Sequence, residues 1–183
     1  APSKIAFSVE GRNFELEQHT TFPYGDKMRF TVHGEGEFEL RMRIPSWSKN
    51  TVLTVCGEEV QCTPGSFAVI SRAWQDGDEV VLKTARELRM ELYTGENRAK
   101  QPRYCISCGP VLMSVVGEGE HAELGKDERC ALLPFAHTEL LNRLKKSGTM
   151  EYDIQGTEYR LVPYFSFDDN REFTCYPAFE EEV

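Results

Sequence analysis

The amino-acid sequence predicts an all-β chain: an antiparallel β-sandwich over residues 1–103, followed by a second, smaller β-rich domain over residues 104–183. Three observations carry that expectation. Phe38, Leu40, Met42 and Ile44 alternate with Glu39, Arg41 and Arg43, the pattern of a strand with one face buried and the other wet. Met28, Phe30 and Val32 repeat the alternation, as do Leu88, Met90 and Leu92. Gly, Pro and Asp clusters punctuate such runs at intervals of about 8–12 residues, which favours a sandwich over alternating strands and helices. Helical character is confined to Thr138–Lys146, where Thr138 is placed to cap the first turn and Lys145 and Lys146 suit the negative end of the dipole.

In chain order, strands are expected over residues 4–9, 13–18, 27–33, 37–44, 51–56, 66–72, 78–84 and 87–93. Gly34-Glu35-Gly36-Glu37 reads as a hairpin turn between the third and fourth, because glycine takes positive φ without strain. Pro64-Gly65 and Asp76-Gly77-Asp78 mark two further turns. The polar stretch Thr94–Arg103 is the expected inter-domain connection. Beyond it, Tyr104–Val116, Arg129–Leu133, Met150–Ile154, Glu158–Val162 and Arg171–Tyr176 are short and strand-like. A second Gly-Glu-Gly-Glu run, at 117–120, lacks the flanks of the first and reads as another turn rather than a repeat.

Composition narrows the partners. Hydrophobic residues make up 40% and charged residues 28% of the 183, an ordinary globular balance. No apolar run approaches the roughly 20 residues of a membrane-spanning helix. The 30 acidic and 21 basic residues leave a net charge of −9, which disfavours nucleic acid and anionic membranes, since both demand a basic face. The start, Ala1-Pro2-Ser3-Lys4, has neither an initiator Met nor the apolar core of a signal peptide, and strand-like sequence begins at Ile5. The expectation is an excised piece of a longer protein or a processed product.

Motifs with chemistry are sparse. The cysteines, at 56, 62, 105, 108, 130 and 175, sit mostly among apolar or β-branched neighbours and are expected to be core thiols. Cys105-Ile106-Ser107-Cys108 is the most suggestive short run, but zinc needs a second pair or two histidines, and Cys130 and His121 do not complete one. On a strand its two thiols face opposite sides. His19, His33, His121 and His137 belong to no HExxH or Gly-x-Ser-x-Gly pattern. With 30 acids available, a carboxylate-pair criterion for glycoside hydrolysis has no discriminating power. Glu180-Glu181-Glu182 reads as a solvated tail. The sequence therefore assigns no catalytic, cofactor-binding or metal-ligating residue. Trp47 and Trp74 stand at strand–turn junctions, where a tryptophan either stacks on a sugar or plugs the end of a core. The core role is the expected one.

Those junctions carry a family resemblance. Phe38-Glu39-Leu40-Arg41-Met42-Arg43-Ile44-Pro45-Ser46-Trp47 resembles the "L-x-L-R-I-P-x-W" strand end of β-L-arabinofuranosidase-type glycoside hydrolases of family 127. The run Gly65–Asp78, containing Ile70-Ser71-Arg72-Ala73-Trp74 and Gly77-Asp78, resembles that family's "G-x-Y-x-x-I-x-R-x-W-x-x-G-D". Gln18–Gly25 resembles its "Q-x-T-x-Y-P-W-x-G", and the later Gly109-Pro110-Val111-Leu112 also fits in order and spacing. In the remainder, Leu161–Phe165 with Asn170-Arg171 is similar to the "P-x-Y … R-Y" stretch of a β-domain that often follows in these proteins. Cys56-Gly57 stands where "N-G" is usual, and Phe67 and Tyr24 replace Tyr and Trp, which marks a divergent member.

The resemblance implies a parent protein, periplasmic or secreted, whose N-terminal (α/α)₆ barrel carries the catalysis through a zinc-bound cysteine nucleophile and glutamates. None of those residues has a match in this chain. The expected role is that of non-catalytic accessory β-domains partnering that barrel, without a cofactor. The alternatives are a carbohydrate-binding module acting through exposed aromatics, which would make weak glycan contact, and a complete small hydrolase.

Overall fold

Inward-facing apolar residues on alternating strands leave two half-buried faces that must meet, and the first unit, Ala1–Arg86, solves this as a sandwich. The computed structural model describes residues 1–94, 102–118, 121–125, 128–166 and 173–180. In the first unit the strands are β1 (Ser3–Val9), β2 (Arg12–Thr20), β3 (Lys27–His33), β4 (Gly36–Arg43), β5 (Val52–Val55), β6 (Glu58–Val60), β7 (Phe67–Trp74) and β8 (Glu79–Lys83). Six of them form an antiparallel sheet in the order β1-β2-β3-β8-β5-β6, and β4 pairs with β7 in a two-stranded sheet. The core between them holds Phe14, Val32, Met42, Ile44, Leu53, Val55, Ala68, Ile70, Trp74, Val80 and Leu82.

Gly34-Glu35-Gly36 departs from the expected hairpin. The strands on either side belong to different sheets, β3 pairing with β8 and β4 with β7, so this segment is an arch crossing the sandwich. A Cβ on Gly34, at φ 105°, would stand 2.8 Å from the Asn13 carbonyl and 3.0 Å from the Phe14 ring, so the chain crosses closely over β2. The Asp76–Asp78 turn is the return crossing, from β7 to β8. There Gly77 takes φ 87° and its N–H donates to the Val32 carbonyl at 2.8 Å.

An aromatic stack runs through the core. Phe14 lies 5.6 Å from Phe7 and 4.9 Å from Phe38, and Phe38 lies 5.2 Å from Trp74. Trp74 is fully buried and its indole N–H donates to the Phe38 carbonyl at 3.0 Å, which satisfies the one polar atom that burial would otherwise orphan. Trp47 is half-buried and stacks on Phe22 at 6.4 Å.

The second unit, Glu87–Val183, contains β9 (Leu88–Leu92), β10 (Tyr104–Cys108), β11 (Val111–Val116), β12 (His121–Gly125), β13 (Glu128–Leu133), a one-turn helix α1 (Leu140–Arg143), β14 (Leu144–Gly148), β15 (Glu151–Ile154), β16 (Arg160–Pro163), β17 (Phe173–Thr174) and β18 (Ala178–Phe179). Its main sheet runs β14-β15-β16-β11-β10-β9, with β17 also on β11, and β12-β13-β18 form a smaller sheet. Ile106, Met113, Leu133, Leu140, Ile154, Leu161 and Phe179 lead a separate core.

Two expectations change here. The sequence groups residues 87–93 with the sandwich, but β9 pairs along its whole length with β10, Leu88 opposite Cys108 and Leu92 opposite Tyr104. The helix expected over Thr138–Lys146 shrinks to a 3₁₀ turn at His137–Glu139 and the single turn α1, and no side chain caps either. Leu144, Lys145 and Lys146 are instead extended opposite Ile154, Asp153 and Tyr152. A lone helix of that length is marginal, whereas pairing with β15 satisfies the backbone and lets Leu144 pack on the core. The strand expected over Arg171–Tyr176 is seen at Phe173–Thr174; residues 171–172, the linker positions 95–101 and the acids Glu181 and Glu182 lie outside the described residues.

Candidate functional site

Alternation on β2 sends Phe14 inward and Glu15, Glu17 and His19 outward. Strand pairing sets Lys4 opposite Glu17 and His33 opposite Glu15. The result is a charged cluster on the open face of the sheet. The Lys4 ammonium lies 3.1 Å from Glu15 and 3.3 Å from Glu17. Both His19 and His33 approach Glu17 at 3.3 Å, and His33 Nδ1 lies 3.4 Å from Asp76. The hydrogen bond with His33, then that with Lys4, holds the Glu17 carboxyl below the usual carboxylate range.

Glu15, Glu17 and His33 bring three ligand atoms within 4.8 Å of one another. The same carboxylates already hold the Lys4 ammonium, so a divalent ion would have to displace a cation that the sheet places there. The chemistry available is charge neutralisation across three strands.

A second cluster uses the residues of the Arg72–Asp78 motif. Arg72 lies over the Trp74 ring at 5.3 Å, donates to Cys56 Sγ at 3.1 Å and reaches Asp78 at 3.4 Å. Asp78 accepts the Gln75 N–H at 3.0 Å. That backbone bond is the chief cause holding the Asp78 carboxyl low, with the Cys56 thiol and Arg72 adding to it against partial burial. Partial desolvation of the sulfur first, and then Asp78, push the Cys56 thiol up. Cys56 is exposed, contrary to the expectation of a core thiol, because it occupies a turn at φ 50°. Cys108 and Cys130 are buried as expected, and Cys62, Cys105 and Cys175 are half-buried.

The third feature is the outer face of the β4–β7 ladder. Arg43 stands opposite Phe67, Arg41 opposite Val69 and Glu39 opposite Ser71. Phe67 is 59% and Val69 53% exposed, with the Arg43 guanidinium over the Phe67 ring at 5.5 Å. Adjacent exposed apolar side chains rimmed by arginines are what a docking surface presents.

The other sequence-singled residues scatter. His137 stacks on Tyr104 at 4.6 Å, and its Nδ1 lies 3.2 Å from the Tyr104 hydroxyl. Cys105 and Cys108 diverge as strand geometry requires, Cys108 into the core. Lys4, Glu15 and Glu17 escaped the sequence reading. Their spacing is ordinary for solvated strand positions, and only the pairing register brings them together.

Residues 1–86 match the family model described as the middle domain of GH127 β-L-arabinofuranosidase. The first unit is a GH127 middle domain. No curated relative matches the chain. Among solved structures, a protein described as a glycoside hydrolase matches 98% of this chain with 35% of its own, at 21% identity and a TM-score of 0.68. The GH127 β-L-arabinofuranosidase Ara127N-Se from Geobacillus stearothermophilus T6 matches 97% of this chain with 32% of its own, at 21% identity and a TM-score of 0.62. The GH127 β-arabinofuranosidase BT3674 matches 98% with 34% of its own, at 16% identity and a TM-score of 0.62. The fold is thus that of GH127 proteins beyond the middle domain as well, and the chain spans about a third of the length of those solved chains.

Proposed function

We propose that this chain is the non-catalytic accessory β-portion of a larger, β-L-arabinofuranosidase-like glycoside hydrolase, bracing an N-terminal helical catalytic barrel of the same polypeptide. The observation that carries this reading is the GH127 middle-domain match over residues 1–86 in a chain that spans about a third of solved GH127 chains. The exposed Phe67–Val69 face with Arg41 and Arg43 supports it, since an accessory domain needs a surface to offer its partner. A glycan-stacking role for Trp74 finds no support, because that ring is buried.

The test is the native size of the gene product, by immunoblot of source-cell lysate with an antibody raised to this chain. A band several times larger than 20.9 kDa is expected. A band at 20.9 kDa, or turnover of nitrophenyl arabinofuranosides by the isolated chain, overturns the accessory reading.

A further inference from the structure

Two strand ends converge on one edge of β11 in the second unit. β10 pairs with the first half of β11, Ile106 opposite Met113, and β17 with its second half, Val115 opposite Thr174. Carried one residue further, both registers end at Ser114, from Cys105 on one side and Cys175 on the other. A separate set of contacts fixes the same neighbourhood. Arg103 bridges Ala178 in antiparallel sense, and the Tyr104 N–H donates to the Pro177 carbonyl at 3.0 Å. Cys175 and Tyr176 form the bend between these contacts and β17, so the chain brings Cys175 to Cys105 where β10 gives way to β17, and the two thiols interact electrostatically.

The side chains share a face. Ile106 and Cys108 point into the core, as do Val111, Met113 and Val115, so Cys105 and Ser114 project to the other side of the sheet. Cys175 is on that side too, its Sγ 3.1 Å from Ser114 Oγ. Burial, then Glu91 and Cys175, push the Cys105 thiol up, so its attack as a thiolate speeds as pH rises.

We propose that Cys105 and Cys175 are a redox-modification site that closes to an intramolecular disulfide when the chain meets a small disulfide oxidant of the glutathione class. One cysteine thiolate attacks the oxidant's S–S bond, giving a mixed disulfide and releasing one small thiol. The second cysteine, losing its proton, attacks the protein-bound sulfur and releases the other. Two electrons pass to the oxidant, and the two cysteine protons end on the two small thiols. The bond ties the C-terminal segment carrying β17 and β18 to β10 and closes a loop of roughly 70 residues, long enough for cross-linking to raise the melting temperature by several degrees.

The experiment treats the intact chain with oxidised glutathione at mildly alkaline pH, alkylates the remaining thiols after denaturation, and maps the peptides by mass spectrometry. The expected result is one cross-link joining the peptides that contain Cys105 and Cys175, four of the six cysteines alkylated, and a higher melting temperature reversed by reductant. Cys105→Ser and Cys175→Ser should each abolish the cross-link. Separate alkylation or glutathionylation of the two cysteines in the wild-type chain overturns the proposal. So does a dominant cross-link between another pair that persists in Cys105→Ser.

Discussion

The Asp76 carboxylate accepts the backbone N–H of Gly34 at 3.1 Å, joining the two segments that cross between the sheets of the sandwich. Those crossings commit β3 and β4, and β7 and β8, to opposite layers. Gly34→Ala puts a Cβ 2.8 Å from the Asn13 carbonyl in a backbone conformation that disfavours side chains, and should destabilise the chain by roughly 2 kcal/mol or more. Asp76→Ala removes the Gly34 N–H bond and the exposed contact with His33, and should cost about 1 kcal/mol. Urea unfolding ranks the two, and equal costs would show that the arch tolerates a wider crossing.

Trp74 combines full burial, a stack on Phe38 and a satisfied indole N–H. Trp74→Ala should cost about 3–5 kcal/mol. Trp74→Phe keeps most of the apolar volume but loses the bond to the Phe38 carbonyl, so a cost of about 1–3 kcal/mol is expected from chemical denaturation.

Glu17 and Asp78 both titrate below the ordinary carboxylate range, through His33 and the Gln75 N–H first in each case. The unfolded chain binds these protons more readily than the folded one. Their stabilisation is thus whole above a pH of about 5 and is lost as pH falls through the depressed folded values. Urea midpoints followed downward from neutral pH should decline through that window, with a shallower decline in Glu17→Gln and Asp78→Asn. An unchanged slope in both variants would remove these two groups from the acid transition.

Phe67 and Val69 are exposed on the β4–β7 face, so Phe67→Ser with Val69→Ser should leave the isolated chain's stability within about 0.5 kcal/mol per site. On the accessory role proposed above, the same pair should weaken, by several-fold or more, association with a separately produced catalytic portion of the parent. Unaltered association would move the docking surface elsewhere on the β-domains.

The sequence by itself determined which side of the regularly alternating strands faces the core. Phe38 to Ile44 alternate so regularly that the all-β class and the sandwich were legible from spacing, the core role of Trp74 followed from its place at a strand–turn junction, and the Arg72–Asp78 and Ile44–Trp47 runs carried the family. Partnership was decided only by the tertiary structure. Period-two alternation is a local property that assigns faces, whereas hydrogen-bonded partners are set by where distant apolar faces meet. Hence Gly34–Gly36 proved to be an arch, residues 88–92 joined β10, and Leu144–Lys146 left a marginal helix for a strand opposite β15. The same long-range pairing assembled Lys4, Glu15, Glu17 and His33 from three strands, and set Cys105 against a cysteine far along the chain rather than against Cys108, its neighbour in sequence.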